Sequence, residues 1–138
     1  MELSFKKKYA SLDTCILLRI LERDNEEQAR RAIELLLSGQ DFFIEDAVIM
    51  ETVFVLTKAH WPRINIVESL NSLLDNPQIQ YNKTFFAPIF ETYSSHPSLS
   101  FNDCIIAASA ERKSHTPLWT FDRKLAHQSP TARLLAEP

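Results

Sequence analysis

The sequence predicts a single α/β domain built on a central parallel sheet of about four to five strands with helices on both faces. Three observations predict it. Short apolar runs alternate along the chain with longer stretches of helical period. The 138 residues include one glycine, Gly39, which favours many helices over glycine-dependent tight turns. A hydrophobic fraction of 45% and a charged fraction of 24% match an ordinary globular chain, long enough to bury a sizeable core.

Tyr9 to Leu12 is short and partly apolar and reads as a strand. A helix follows from Thr14, with Ile16, Leu17, Ile20 and Leu21 at helical spacing. From Glu26 to Leu37 the apolar residues Ala29, Ala32, Ile33, Leu36 and Leu37 keep that period, closed by Ser38-Gly39. Phe42-Phe43-Ile44 is a second strand. Asp46 is placed to cap the next helix, which carries Glu51 and runs to His60 before Trp61-Pro62. Another amphipathic helix, Ile64 to Leu74, stops at Asn76-Pro77, since the residue before proline is pushed out of the helical region. Ile79 to Tyr81 is a third strand. The helix from Thr84 to Tyr93 contains Pro88, which removes a hydrogen bond from its interior. Leu99 to Phe101 fits either a strand or an extended lead-in to a helix from Asp103 to Lys113. Leu118-Trp119-Thr120 is the last strand, with a short helix from Asp122. No repeat, linker or low-complexity stretch interrupts the chain, so residues 1–138 are expected to be one domain.

Several function classes fall away. With one glycine, neither a P-loop nor a dinucleotide-binding fingerprint can be written. No run approaches the ~20 apolar residues of a membrane span. Lys6-Lys7-Lys8 precedes an apolar stretch, but Asp13 interrupts it and no cleavage pattern follows, so a cytoplasmic location is expected. Cys15 and Cys104 form no CxxC pair and are expected to be buried thiols. Neither has a histidine partner that would mark a thiol nucleophile. The net charge of −3 does not advertise a polyanion binder, although Arg30-Arg31, Arg112-Lys113 and Arg123-Lys124 are basic pairs.

Four acids stand out by position. Asp13 sits at the carboxyl end of the first strand, where open α/β sheets place ligands. Asp122 directly follows the last strand. Asp103 shares a helix stripe with Ile106, Ala107 and Ala110, and Glu51 one with Ala47, Val48, Phe54 and Val55, so both stripes are expected to face the core. Taken singly, Asp103 and Asp122 read as N-caps, Asp13 as a strand end and Glu51 as a rim residue. Jointly they raise a question of charge. Two carboxylates about 5 Å apart repel by roughly 3 kcal/mol at an effective dielectric near 20. Protonation, basic neighbours or a bound divalent cation would relieve it, and an oxygen-only donor set suits Mg²⁺ or Mn²⁺. His60, His96, His115 and His127 show no zinc-ligand spacing.

The stretches YASLDTCILLRIL, VIMETVFVLTKAH, LSFNDCIIAASAER and LWTFDRKL resemble, in order, the four motifs of PIN-domain proteins, most closely the VapC-like toxin ribonucleases. The likeness runs from Tyr9 to Leu125, a motif-bearing core of about 9–125. It implies that Asp13, Glu51, Asp103 and Asp122 form the acidic, catalytic quartet that holds Mg²⁺ or Mn²⁺. Asp13, Asp103 and Asp122 would be principal ligands; Glu51 would ligate through water or orient the nucleophile. Thr14 and Thr120 would support the ligands from behind. The implied chemistry is metal-assisted hydrolysis of RNA phosphodiesters. The resemblance also implies a homodimer and a small VapB-like antitoxin. Two other readings stay open: a PIN nuclease without an antitoxin, and a PIN-like RNA- or protein-binding module that has lost catalysis. Candidates for holding the substrate strand are Arg19, Lys58, Arg112 and Arg123. One departure is visible, since Cys15 stands where family members commonly have asparagine.

Overall fold

A computed structural model describes residues 7–135, so Lys6 of the N-terminal basic run lies outside the described residues. The chain divides into two compact units, Met1–Asn82 and Lys83–Pro138.

In the first unit the order is β1 (Ala10–Ser11), α1 (Thr14–Glu22), α2 (Glu26–Leu36), β2 (Phe42–Ile44), α3 (Asp46–Lys58), α4 (Arg63–Leu74) and β3 (Ile79–Tyr81). The strands form a parallel sheet in the order β1-β2-β3, with Ala10 opposite Phe42 and Phe42 opposite Ile79. Phe42, Ile44 and Ile79 are buried, as are Leu17 of α1, Ile49, Val53 and Leu56 of α3, and Ile66 and Leu70 of α4. Parallel strands need crossovers, and each strand here is followed by helix before the next.

Local chemistry sets the helix ends. The Asn25 side chain accepts the Gln28 N–H at 3.1 Å and opens α2, whose first turn carries Glu26 and Glu27 at the positive end of the helix dipole. Arg30 then reaches Glu27 at 2.7 Å and Glu34 at 2.6 Å along the exposed face. Asp46 does not cap α3. Glu45 occupies that position without a side-chain cap bond, and Asp46 is the first helical residue. It instead accepts a hydrogen bond from Asn82 Nδ2 at 3.3 Å. With so little glycine, left-handed turns fall to residues bearing a Cβ: Arg23 at φ 55° after α1 and His60 at φ 64° after α3. Each such conformation costs about 1–2 kcal/mol relative to the right-handed region.

The second unit contains α5 (Lys83–Ser95), α6 (Phe101–Arg112), β4 (Leu118–Thr120), α7 (Arg123–Gln128) and β5 (Ala132–Leu134). Helices α5 and α6 meet through aromatic rings. Phe86 stacks on Phe90 at 6.0 Å, Phe90 on Phe101 at 5.9 Å, and Tyr93 lies 5.2 Å from Phe101. That packing carries α5 straight through Pro88, whose missing N–H costs a free helix about 3 kcal/mol. Leu99 and Ser100 are the lead-in to α6, Phe101 is its first residue, and none of the three is in a strand.

The α/β class with parallel strands is as the sequence predicts. Among the described residues, however, the strands fall in two sheets: three in the first unit, and a parallel pair, β4 and β5, in the second. The difference arises at β5, which the sequence reading did not include. Its backbone bonds to β4 through Leu118 N–H to Thr131 O at 2.9 Å and Leu135 N–H to Thr120 O at 2.8 Å. Among the described residues, no helix is long and apolar enough to cross a membrane.

Candidate functional site

In the first unit, the exit of β1 delivers Asp13 to the N-terminus of α1. Its backbone is extended, and Oδ1 accepts the Thr14 N–H at 2.8 Å. The other oxygen, Oδ2, lies 3.6 Å from the Cys15 thiol, which donates to it. Thr14 is 6% exposed, and its hydroxyl donates to Glu51 Oε2 at 3.1 Å. One threonine thus bonds the carboxylates of two elements, Asp13 through its backbone and Glu51 through its side chain. The remaining oxygen of Glu51 has no hydrogen-bond partner among the described residues.

Glu51 does not face the core. Helix α3 buries Ile49, Thr52, Val53 and Leu56, whereas Glu51 is exposed together with Ala47 and Phe54, the latter at 57%. The stripe inferred from spacing is real, but it is the outer stripe. The same correction applies to α6, which buries Phe101, Cys104 and Ile105 and leaves Ile106 50% exposed. Cys15 is likewise exposed, against expectation, while Cys104 is buried.

In the second unit, Asp103 is the third residue of α6, with Ser100 as the N-cap. Ser100 Oγ accepts the Asp103 N–H at 3.0 Å and Asp103 Oδ2 accepts the Ser100 N–H at 3.2 Å, a reciprocal capping box. Asp122 caps α7: Oδ1 accepts the N–H groups of Lys124 at 2.9 Å and Leu125 at 3.2 Å. Thr120 Oγ1 accepts the Asp122 N–H at 2.9 Å and fixes the turn between β4 and α7. Each of these acids therefore bonds the backbone through one oxygen, and its second oxygen has no partner among the described residues.

Asp13, Asp103 and Asp122 thus stand at helix N-termini, where the backbone dipole favours negative charge. Sequence spacing missed Ser100, although Ser-x-x-Asp before an apolar run is a capping-box signal. Of the basic candidates, Arg19 is already engaged, bonding Gln28 and lying 3.9 Å from Asp24. Lys58 sits 5.3 Å from the Phe54 ring and Arg112 5.7 Å from the Phe85 ring. Arg123 is exposed.

The donor set is compatible with a hard divalent cation in a restricted sense. Among the described residues, no three His, Cys, Asp or Glu side chains are gathered to cage an ion. Mg²⁺ seldom needs such a cage, because it keeps several waters and takes one or two carboxylates together with substrate phosphates. Asp13 and Glu51, tied through Thr14, offer that kind of partial oxygen site.

A parallel α/β chain with carboxylates at the exits of β1 and β4 belongs to the broad class that gathers its chemistry at strand ends. The match to a protein-family model makes the assignment specific. The PIN domain model matches residues 10–129, most of the chain and part of both units, and the chain belongs to the PIN domain family. PIN is a nuclease fold; PIN domains are generally hydrolases, and their nucleases typically use divalent metals. No curated protein matches the chain.

Proposed function

We propose that the chain is a Mg²⁺- or Mn²⁺-dependent endoribonuclease, a single PIN domain acting as the toxin of a VapBC-like pair. The observation that carries the reading is the Thr14 bridge, which holds two carboxylates from separate elements at an exposed site. Nothing in folding requires Glu51 to be there, since it lies on the outer stripe of α3. A divalent cation there supplies charge stabilisation to the phosphoryl group under attack. The chain's own residues do the positioning. Asp13 is held by its cap, Glu51 by the Thr14 hydroxyl, Asp103 by Ser100 and Asp122 by the turn through Thr120. Glu51, Asp103 and Asp122 each keep an oxygen without a partner among the described residues, and Asp13 Oδ2 has only the long contact from the Cys15 thiol, so these oxygens would be available to a cation or an attacking water. Dimerisation and occlusion by a small VapB-like antitoxin in the cytoplasm belong to the same reading, and rest on the resemblance of the four motifs.

The test is cleavage of a mixed RNA pool by the full chain with Mg²⁺ or Mn²⁺, with chelator, and after Asp13→Asn or Asp103→Asn. Metal-dependent cleavage that falls at least about 100-fold in both variants is expected. Cleavage that survives both substitutions removes the site assignment. Absence of cleavage, together with retained RNA binding, favours the binding module without catalysis.

A further inference from the structure

In the second unit, Trp119 is 58% exposed and Phe121 61% exposed. A single aromatic in water needs no explanation. Two of them within three residues, in β4 and in the bend that leads to Asp122, call for one. Trp119 is the middle residue of β4, and Phe121 stands in the bend that follows it, one residue before Asp122. The parallel ladder sets Trp119 in register with Arg133, and in-register residues of neighbouring strands stand on one face. A guanidinium therefore shares the face with the indole. Arg123 and Lys124 open α7 immediately after Asp122, and both are exposed. Among the described residues, none of Arg123, Lys124 and Arg133 has a carboxylate partner. In a chain of net charge −3, this is a local concentration of unneutralised positive charge beside flat apolar rings.

A partner that fits such a surface carries negative charge at regular intervals and π-faces between the charges. An apolar protein surface would satisfy the rings and leave three cations without counter-charges. Duplex RNA would satisfy the cations and offer the rings no exposed base. We propose that Trp119 and Phe121 form a base-stacking platform for single-stranded RNA, with Arg123, Lys124 and Arg133 contacting its phosphates. Stacking on the two rings splays the strand beside Asp122, so unpaired segments are selected over helical ones. The inference rests on the ribonuclease reading for the identity of the strand, and names the form of RNA that reading leaves open.

Trp61 and Trp119 are the two tryptophans, so Trp61→Phe leaves Trp119 as the sole indole reporter. The full chain with that substitution is titrated in EDTA with a mixed-sequence single-stranded RNA of about twelve nucleotides, within the usual range of stacking sites. Saturable quenching of Trp119 emission is expected. In the natural background, Trp119→Ala is expected to weaken binding about 5- to 150-fold, Phe121→Ala by a similar factor, and Trp119→Phe by much less. Binding of a duplex of the same sequence is expected to be unaffected by Trp119→Ala. Unchanged Trp119 emission at saturating RNA, or equal losses for duplex and single strand, overturns the platform. Conversion of a dimer to a monomer by Trp119→Ala, with RNA affinity retained, assigns the face to a second copy and also overturns it. The two proposals fail separately. A chain that stacks RNA in EDTA but cleaves none in metal refutes the nuclease alone, and metal-dependent cleavage indifferent to Trp119→Ala refutes the platform alone.

Discussion

Thr14→Val removes one hydroxyl and keeps the branched shape of a side chain that is nearly buried. The backbone N–H that caps Asp13 remains, so the substitution addresses only the 3.1 Å bond to Glu51 Oε2. A hydrogen bond to a charged group contributes about 1.5–3 kcal/mol when shielded from water. Glu51 is exposed, and water replaces the lost hydroxyl, so a stability loss of at most about 1 kcal/mol is expected. The larger consequence is positional. Groups that orient a metal-binding carboxylate typically change affinity 10- to 100-fold when removed. Because Glu51 keeps access to solvent, the lower end, about 10-fold weaker Mn²⁺ binding, is the expectation. Isothermal titration of the chelator-treated chain with Mn²⁺ measures it, alongside urea unfolding. Thr14→Ser keeps the hydroxyl and should bind Mn²⁺ nearly as the natural chain does. In a Glu51→Gln background, Thr14→Val should add little further loss, because the two act through one contact. The reasoning fails if Thr14→Val binds Mn²⁺ normally while Glu51→Gln does not, for then the hydroxyl does not position the carboxylate.

Ser100→Ala should destabilise the chain by about 1 kcal/mol through loss of the capping box, with faster hydrogen exchange in the first turn of α6; unchanged exchange there would refute the cap. Burial, and then the charge of Asp75, raise the Tyr81 phenol above its ordinary value of about 10. A raised value means that the folded chain holds the proton more tightly, so stability is complete below about pH 10 and falls as pH rises through the raised value. Urea unfolding across that window should show a shallower fall in Tyr81→Phe, and an identical fall would remove Tyr81 as its source.

Helix starts and the first three strands were legible because the chemistry that sets them is local. Asn25 caps α2 two residues from Arg23, Pro77 terminates the α4 region, and the apolar Phe42-Phe43-Ile44 of β2 and the alternating Ile79-Gln80-Tyr81 of β3 lie between turn residues. The strand β5 was not legible, because Ala132-Arg133-Leu134 has no β-branched or aromatic residue and is too short for its alternation to define a period. It is a strand through its ladder with β4, a contact that propensity does not encode. Which way Glu51 faces was hidden for a different reason. Spacing places residues on a shared stripe without saying which stripe is buried, and α3 carries apolar residues on both sides. Val53 and Leu56 turn inward while Phe54 turns outward beside Glu51, and both stripes look alike in sequence.

Asp13, Glu51 and Asp122 are exposed and Asp103 is half-buried, so the acids do not need a cation in order for the chain to fold. Inward carboxylates would have had to be neutralised merely for the chain to fold, whereas exposed ones are free to take or release an ion. Asp13 and Asp122 are also helix N-caps, and Asp103 closes the capping box of Ser100, and this dual role decides how they should be tested. Asparagine caps about as well as aspartate, and alanine does not. Asp122→Asn should keep the bonds to Lys124 and Leu125 and hold stability within about 0.5 kcal/mol, while Asp122→Ala should lose about 1 kcal/mol. If Asp122 serves only α7, activity should follow stability, and the asparagine variant should cleave RNA like the natural chain. If it also holds a cation, both variants should lose cleavage and Mn²⁺ binding alike despite their different stabilities. A cap needs an oxygen and a ligand needs the charge, so one pair of substitutions separates the two roles at each position where they coincide.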